Sequence, residues 1–252
     1  FQSALDPFSR AKAFISFGTE GVALEEGYME ILNLPLGLNL KIGEYKAQFG
    51  KINRYHDHAL PQFARPLVLT NFFGQTSLKG LGMSGNFLLP SLTANVNELD
   101  LEILFGGVGH SFTGQGDHNI FYNAHFKNYY DLNRSTYLEL GFSCATGYND
   151  PLEQQRTIVG GADLTLNWSP PGRAKYRGIE WRTELLVSNR KETAGDINTW
   201  GFFSYVTAKL NAKWYGGLRV DYSQMPYDAD MEEKGVTLNA DYWQSEFVFF
   251  RF

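Results

Sequence analysis

Apolar and polar residues alternate one for one along this chain, in segment after segment from one end to the other. In Glu98-Leu99-Asp100-Leu101-Glu102-Ile103 the alternation is complete. Successive side chains of a strand point to opposite faces, so this segment has one acidic face and one aliphatic face. The same period of two runs through Tyr137 to Phe142, Asp163 to Trp168, Leu218 to Tyr222 and Val236 to Tyr242. None of these carries the i, i+3, i+4 spacing of a helix. The pattern predicts strands at 10–18, 26–34, 38–48, 78–89, 96–106, 118–129, 135–146, 157–168, 178–189, 199–211, 213–224, 235–243 and 246–252, with the end of an earlier strand at 1–6. Many are about 9–12 residues long, enough to cross a bilayer at a tilt. Strands of soluble proteins run nearer about 5–6 residues.

The connectors alternate as well. Tight ones at Leu34-Pro35-Leu36-Gly37, Pro90-Ser91-Leu92-Thr93, Asp131-Leu132-Asn133-Arg134 and Trp243-Gln244-Ser245 fall between long ones at 50–77, 106–117, 147–156, 190–197 and 225–234. A soluble sandwich has no reason to gather its short turns at one end. A transmembrane barrel has one, because its periplasmic turns are short and its outward loops long. Tyr129, Tyr130, Trp168, Trp200, Trp214, Tyr215, Tyr242 and Trp243 sit near strand ends, where interfacial girdles belong. The expected fold is therefore all-β: an antiparallel up-and-down transmembrane β-barrel of a bacterial outer membrane. It is read as one domain over 1–252, with 13–14 strands in this chain and 14–16 in the intact protein.

Composition bears on three further points. Aromatics make up 15% of the 252 residues, and the mean hydropathy is only -0.29. No apolar run approaches the roughly 18 residues of a spanning helix, but a barrel strand needs apolar residues only at alternate positions. The net charge of -5, without a basic stripe, argues against a nucleic-acid partner. The expected partners are outer-membrane lipid and lipopolysaccharide, with a periplasmic or surface protein as a further candidate. The single cysteine, Cys144, permits no internal disulfide and reads as a small apolar strand residue. Phe1 to Asp6 has neither the basic nor the apolar stretch of a signal peptide, so a mature or trimmed chain is expected.

The stretch 24–74 resembles a bacterial outer-membrane porin-type family, largely uncharacterised and similar to phosphate-selective porins of the O and P type. The resemblance lies in the acidic-hydrophobic strand Leu24 to Leu32, the Leu34 to Gly37 turn and the strand ending Ala47-Gln48-Phe49-Gly50. It continues through His56, Leu60-Pro61 and Arg65-Pro66-Leu67, and Tyr176 to Leu186 is similar to a late strand of the same family. The resemblance implies a passive channel or uptake-associated barrel, without catalytic residues or a cofactor. This chain has no basic cluster on its polar faces, so phosphate selectivity does not carry over.

If the apolar face meets lipid, the other face lines the lumen. The inward set is then Glu98, Asp100, Glu102, Glu139, Asp163, Glu180, Glu184, Asp221 and Asp241, opposed by Lys41, Lys127, Arg182, Lys209 and Arg219. Nine acids against five bases favour cations if the lumen is open. The competing reading is that these charges pair across strands and fill the interior. The longest connector, 50–77, is a candidate constriction carrying His56, Asp57, His58 and Arg65. His56-Asp57-His58 places two imidazoles on one side of an extended segment, yet a closed metal site needs about four ligands. His110, His118 and His125 are scattered, so no metal is assigned.

No nucleophile elbow is present, and the glycines of Gly80-Leu81-Gly82-Met83-Ser84-Gly85 fit strand packing better than phosphate binding, so no enzyme is expected. Strand parity expects at least one strand after Phe252 and one before Phe1. The aromatic tail Phe247 to Phe252, similar to the terminal signature of such barrels, argues the other way. The expected function is a porin-like channel for passive passage of small solutes, with a mildly cation-favouring lumen. The alternative is a non-conducting barrel that anchors or partners a surface or periplasmic complex.

Overall fold

A computed structural model describes the chain from Phe1 to Phe252, except residues 19–20, 92–93, 107–108, 114–118, 151–154 and 247. Among the described residues fourteen antiparallel strands follow one another in a single meander whose spatial order is the sequence order. They are β1 (Gln2–Asp6), β2 (Ser9–Gly18), β3 (Gly21–Leu34), β4 (Leu38–Lys46), β5 (Lys79–Leu89), β6 (Val96–Phe105), β7 (Ile120–Asn133), β8 (Thr136–Tyr148), β9 (Arg156–Trp168), β10 (Gly178–Arg190), β11 (Ile197–Lys209), β12 (Trp214–Met225), β13 (Asp228–Trp243) and β14 (Phe249–Arg251). Among the described residues one α-helix, α1 (Leu67–Phe73), follows two short 3-10 turns, Ile52–Arg54 and Asp57–Ala59, in the connector between β4 and β5.

The two faces of the sheet are inverted relative to a soluble protein. Leu101 and Ile103 are 47% and 45% exposed, while Asp100 and Glu102 between and beside them are 3% exposed. Aliphatic and aromatic side chains therefore face outward, toward lipid, and the polar row faces in. Cys144 lies on the outward face of β8. Segment 47–78 shows how far the sheet curls, because it is hydrogen-bonded to β6, β7, β8, β10, β12, β13 and β14. One segment touches that many strands of a meander only when the sheet wraps around it. The sheet is a barrel with its own chain inside.

Several features differ from the sequence reading. The connector expected at 225–234 is a tight turn, because β13 begins at Asp228 and pairs Glu232 with Gln224 and Glu233 with Ser223. These charged residues sit at a strand end on both faces, where polarity does not distinguish strand from loop. Likewise β3 begins at Gly21 rather than at residue 26, and pairs back to Gly18. The third difference is at the short-turn end, where residues 169–177 form a longer connector between β9 and β10. Strand 246–252 contracts to Phe249–Arg251. Leu92 and Thr93 of one expected turn, His118 at an expected strand start, parts of connectors 106–117 and 147–156, and Phe247 of the tail lie outside the described residues.

The lipid-facing assignment has a direct consequence. Leu101→Lys is expected to lower the stability of the barrel in vesicles by about 2–4 kcal/mol, the cost of a lysine near the bilayer midplane. Denaturant unfolding followed by tryptophan fluorescence measures it.

Candidate functional site

Irregular backbone inside a barrel brings amides and carbonyls that must find partners. In segment 47–78 the barrel wall supplies them. The Gln48 amide donates to Glu102 Oε2 at 2.9 Å, and Asn123 Nδ2 donates to both the Gln48 carbonyl and that carboxylate. The Gly50 amide donates to Ser143 Oγ at 2.9 Å. Lys51 and Ile52 amides both donate to Glu184 Oε1, at 3.0 and 2.9 Å. Lys51 Nζ reaches Glu139 at 2.6 Å. Asn53 closes the base of the segment, donating to the Ala47 and Leu78 carbonyls and accepting from the Leu78 amide.

Further along, Arg182 Nη1 donates to Tyr55 Oη at 3.2 Å and lies over the Tyr55 ring. His56 bridges two carboxylates, with Nδ1 2.6 Å from Glu25 and Nε2 3.0 Å from Glu26. Adjacent strand residues normally face opposite ways. Here the β2–β3 register shifts between Phe14 and Ile15, leaving Glu25 as the extra residue of a bulge that turns it toward the same ring. Phe14 stacks on the other side of that imidazole at 4.5 Å. Arg65 donates to the Tyr55 carbonyl and to Asp57, so it braces the segment internally. Arg219 donates to the Ala64 carbonyl at 2.6 Å, Arg251 to that of Leu60 at 2.9 Å and Asn239 to that of Pro61 at 3.5 Å. Finally, the first amide of α1, on Leu67, donates to Asp221 Oδ1 at 3.1 Å. A wall carboxylate thus takes the place of an N-cap side chain.

The wall changes character along its length. In β6 the inward row runs Glu98, Asp100, Glu102 and then Leu104; in β10 it runs Glu180, Arg182, Glu184 and then Leu186. Phe121, Ala145 and Val159 hold the corresponding positions of β7, β8 and β9. These apolar inward positions all lie toward the long-loop end, and there they meet Phe49, Phe72 and Phe73 of the segment. Phe49 packs edge-on to Phe73 at 5.0 Å, and Phe112 lies parallel to Phe121 at 5.6 Å. The hydrophobic core of this protein is inside its barrel, at one end.

The inward charges are largely matched at the other end. Lys127 pairs with Glu98 at 2.5 Å, Arg182 with Glu180 at 3.4 Å, Arg219 with Asp221 at 2.7 Å and Arg251 with Asp241 at 2.9 Å. Asp100 accepts from Asn86 at 2.9 Å. Glu139 belongs to Lys51, Glu184 to the loop amides, and Asp163 faces Glu184 across the ladder. Lys41 sits 5.0 Å from the Tyr28 and Tyr45 rings, and Lys209 5.2 Å from Tyr215. Two cavities remain beside the segment. One of about 200 Å³ is bounded by Arg10, Glu30, Lys41, Gln48, Asn86 and Asp100; another, of about 320 Å³, by Pro61, Glu180, Thr207, Lys209 and Tyr215.

His56 and His58 stack at 5.7 Å instead of converging on a shared point, and His125 is hydrogen-bonded to Ser143. Among the described residues no three His, Cys, Asp or Glu side chains are arranged to hold a metal. Sequence reasoning missed Glu25, Glu26, Lys51, Ser143, Asn123 and Arg251, and it read α1 as loop. One signal for α1 was available: Leu67-Val68-Leu69-Thr70-Asn71-Phe72-Phe73 is an apolar run directly after Pro66, too hydrophobic for a solvated loop.

The turn at Gly50 is a close contact between the segment and the wall. Its φ is +56°, and a Cβ there would lie 2.4 Å from Glu184 Oε2. Gly50→Ala is expected to cost at least about 1–2 kcal/mol from the left-handed backbone alone. A lowered unfolding midpoint in detergent is the readout.

No family model matches the chain. An uncharacterised protein of Aquifex aeolicus (strain VF5) is 25% identical over 276 residues, covering 96% of this chain. The chain spans 57% of that relative's length. Among solved structures, the anion-selective porin from Comamonas acidovorans superposes with a TM-score of 0.63 at 13% identity, covering 97% of this chain and 73% of the porin. Pseudomonas aeruginosa OccK11 (OpdR) superposes with a TM-score of 0.50 at 15% identity, covering 93% of this chain and 67% of its own. Fourteen meandering strands, an apolar exterior and these superpositions together give the chain the transmembrane β-barrel fold of bacterial outer-membrane porins.

Proposed function

We propose that this protein is an outer-membrane channel for small solutes, narrowed from within by segment 47–78. The observation that carries this reading is the ring of wall side chains fastening the segment across the lumen, from Glu102 on β6 to Arg251 on β14. A segment so held sets a fixed constriction, and the cavities of about 200 and 320 Å³ beside it are of small-solute size. The likeness to porins supports the same reading at the level of fold. Charge favours a weak preference for cations. The preference rests on the nine acids against five bases of the inward strand faces; among the described residues Asp100, Glu102, Asp163 and Glu184 form no ion pair, and neither do Lys46, Arg54 and Lys209.

The second reading is a sealed barrel that serves as an anchor or partner of a surface or periplasmic complex. The aromatic packing of Phe49, Phe72, Phe73, Phe112 and Phe121 favours it, since that end of the lumen is filled by side chains. Planar-bilayer recording separates the two. The channel reading expects a small, steady conductance that rises severalfold when residues 52–72 are deleted. Under a salt gradient the reversal potential should have the sign of cation preference. Silence of both proteins, in preparations whose strands are folded, selects the sealed barrel.

A further inference from the structure

Asp163 and Glu184 are two inward acids on neighbouring positions of adjacent strands. They are direct partners across the β9–β10 ladder, 5% and 1% exposed. Asp163 Oδ2 and Glu184 Oε2 are fully buried and accept no hydrogen bond among the described residues. Both sit where only glycine leaves room. A Cβ on Gly141 would lie 2.0 Å from Asp163 Oδ2, and one on Gly50 2.4 Å from Glu184 Oε2. The wall and the inward segment each contribute one glycine to the space around the pair.

The nearest bases are engaged elsewhere. Lys51 Nζ bonds both oxygens of Glu139, and Arg182 directs Nε to Thr165 and Nη1 to Tyr55. Two like charges facing each other across a ladder repel, and a buried carboxylate oxygen without a partner is costly. We propose that Asp163 and Glu184 together bind a hard divalent cation of the calcium type. An all-oxygen donor pair suits such an ion, with neutral oxygens and water completing its shell. The absence of a third acidic, His or Cys ligand among the described residues argues against zinc. The ion joins the wall to the segment, because the other oxygen of Glu184 holds the Lys51 and Ile52 amides.

The full chain, folded in detergent and stripped with a chelator, is titrated with CaCl2 by calorimetry, and its melting midpoint is recorded with and without the ion. Wild type should bind about one ion per chain and melt several degrees higher in its presence. Asp163→Asn keeps the shape and removes one charge, so it should lose the bound ion and the calcium-dependent shift. Because relief of repulsion raises the variant's stability without calcium, the readout is the response to the ion. Glu184→Gln should behave alike where it folds, and Asp163→Asn decides alone where it does not. No response in wild type would overturn the proposal, since the two carboxylates would then share a proton. An unchanged response in Asp163→Asn would overturn it too, placing the ion on surface acids.

Discussion

Hydrogen bonds from wall side chains to the backbone of segment 47–78 hold the interior of this barrel together. The segment has only short helical turns of its own, so most of its polar backbone depends on the strands around it. Acids serve its amides: Glu102 for Gln48, Glu184 for Lys51 and Ile52, Asp221 for the start of α1. Bases and amides serve its carbonyls: Arg219 for Ala64, Arg251 for Leu60, Asn239 for Pro61. A hydrogen bond between a charged side chain and a backbone dipole in a desolvated interior is stronger than its surface equivalent.

This arrangement explains the two zones of the lumen. Where the segment enters and turns, its backbone needs partners and the wall is polar. Where Phe49, Phe72 and Phe73 meet the long-loop ends of β6 to β10 the wall becomes apolar, through Leu104, Phe121, Ala145, Val159 and Leu186, while α1 itself lies against β11 to β13 and is held by Asp221 and Glu233. The change falls within single strands, at two-residue steps along one face. A barrel with a water-filled lumen throughout has no use for such positions. Here they let part of the interior be packed like a soluble core while the rest remains charged.

The strands were legible because alternation over about ten residues has no other stable solution. Their ends were less so, and Asp228 to Lys234 shows why: outside the lipid band both faces of a strand carry polar residues. The inward face could be named from phase alone, which puts Glu98, Asp100, Glu102, Glu139, Glu180, Arg182 and Glu184 on it. What each of them does there was not legible. Whether Glu180 pairs locally, or Glu184 reaches an amide about 130 positions earlier, depends on how the sheet closes around the segment. Apolar residues in phase with the acids, such as Leu104 and Leu186, carried a readable sign of an inserted segment. Glu25 is the opposite case, since its direction depends on a bulge that leaves no mark on the alternation.

The central claim is that the wall fixes segment 47–78 inside the barrel by bonding its backbone. Amide hydrogen exchange of the folded protein, read at Lys51, Ile52 and Leu67, tests it most directly. The account predicts that these amides exchange as slowly as those of the neighbouring strands, because each is hydrogen-bonded to a carboxylate of the wall. Exchange at the rate of an open loop, with the strand amides still protected, would contradict it.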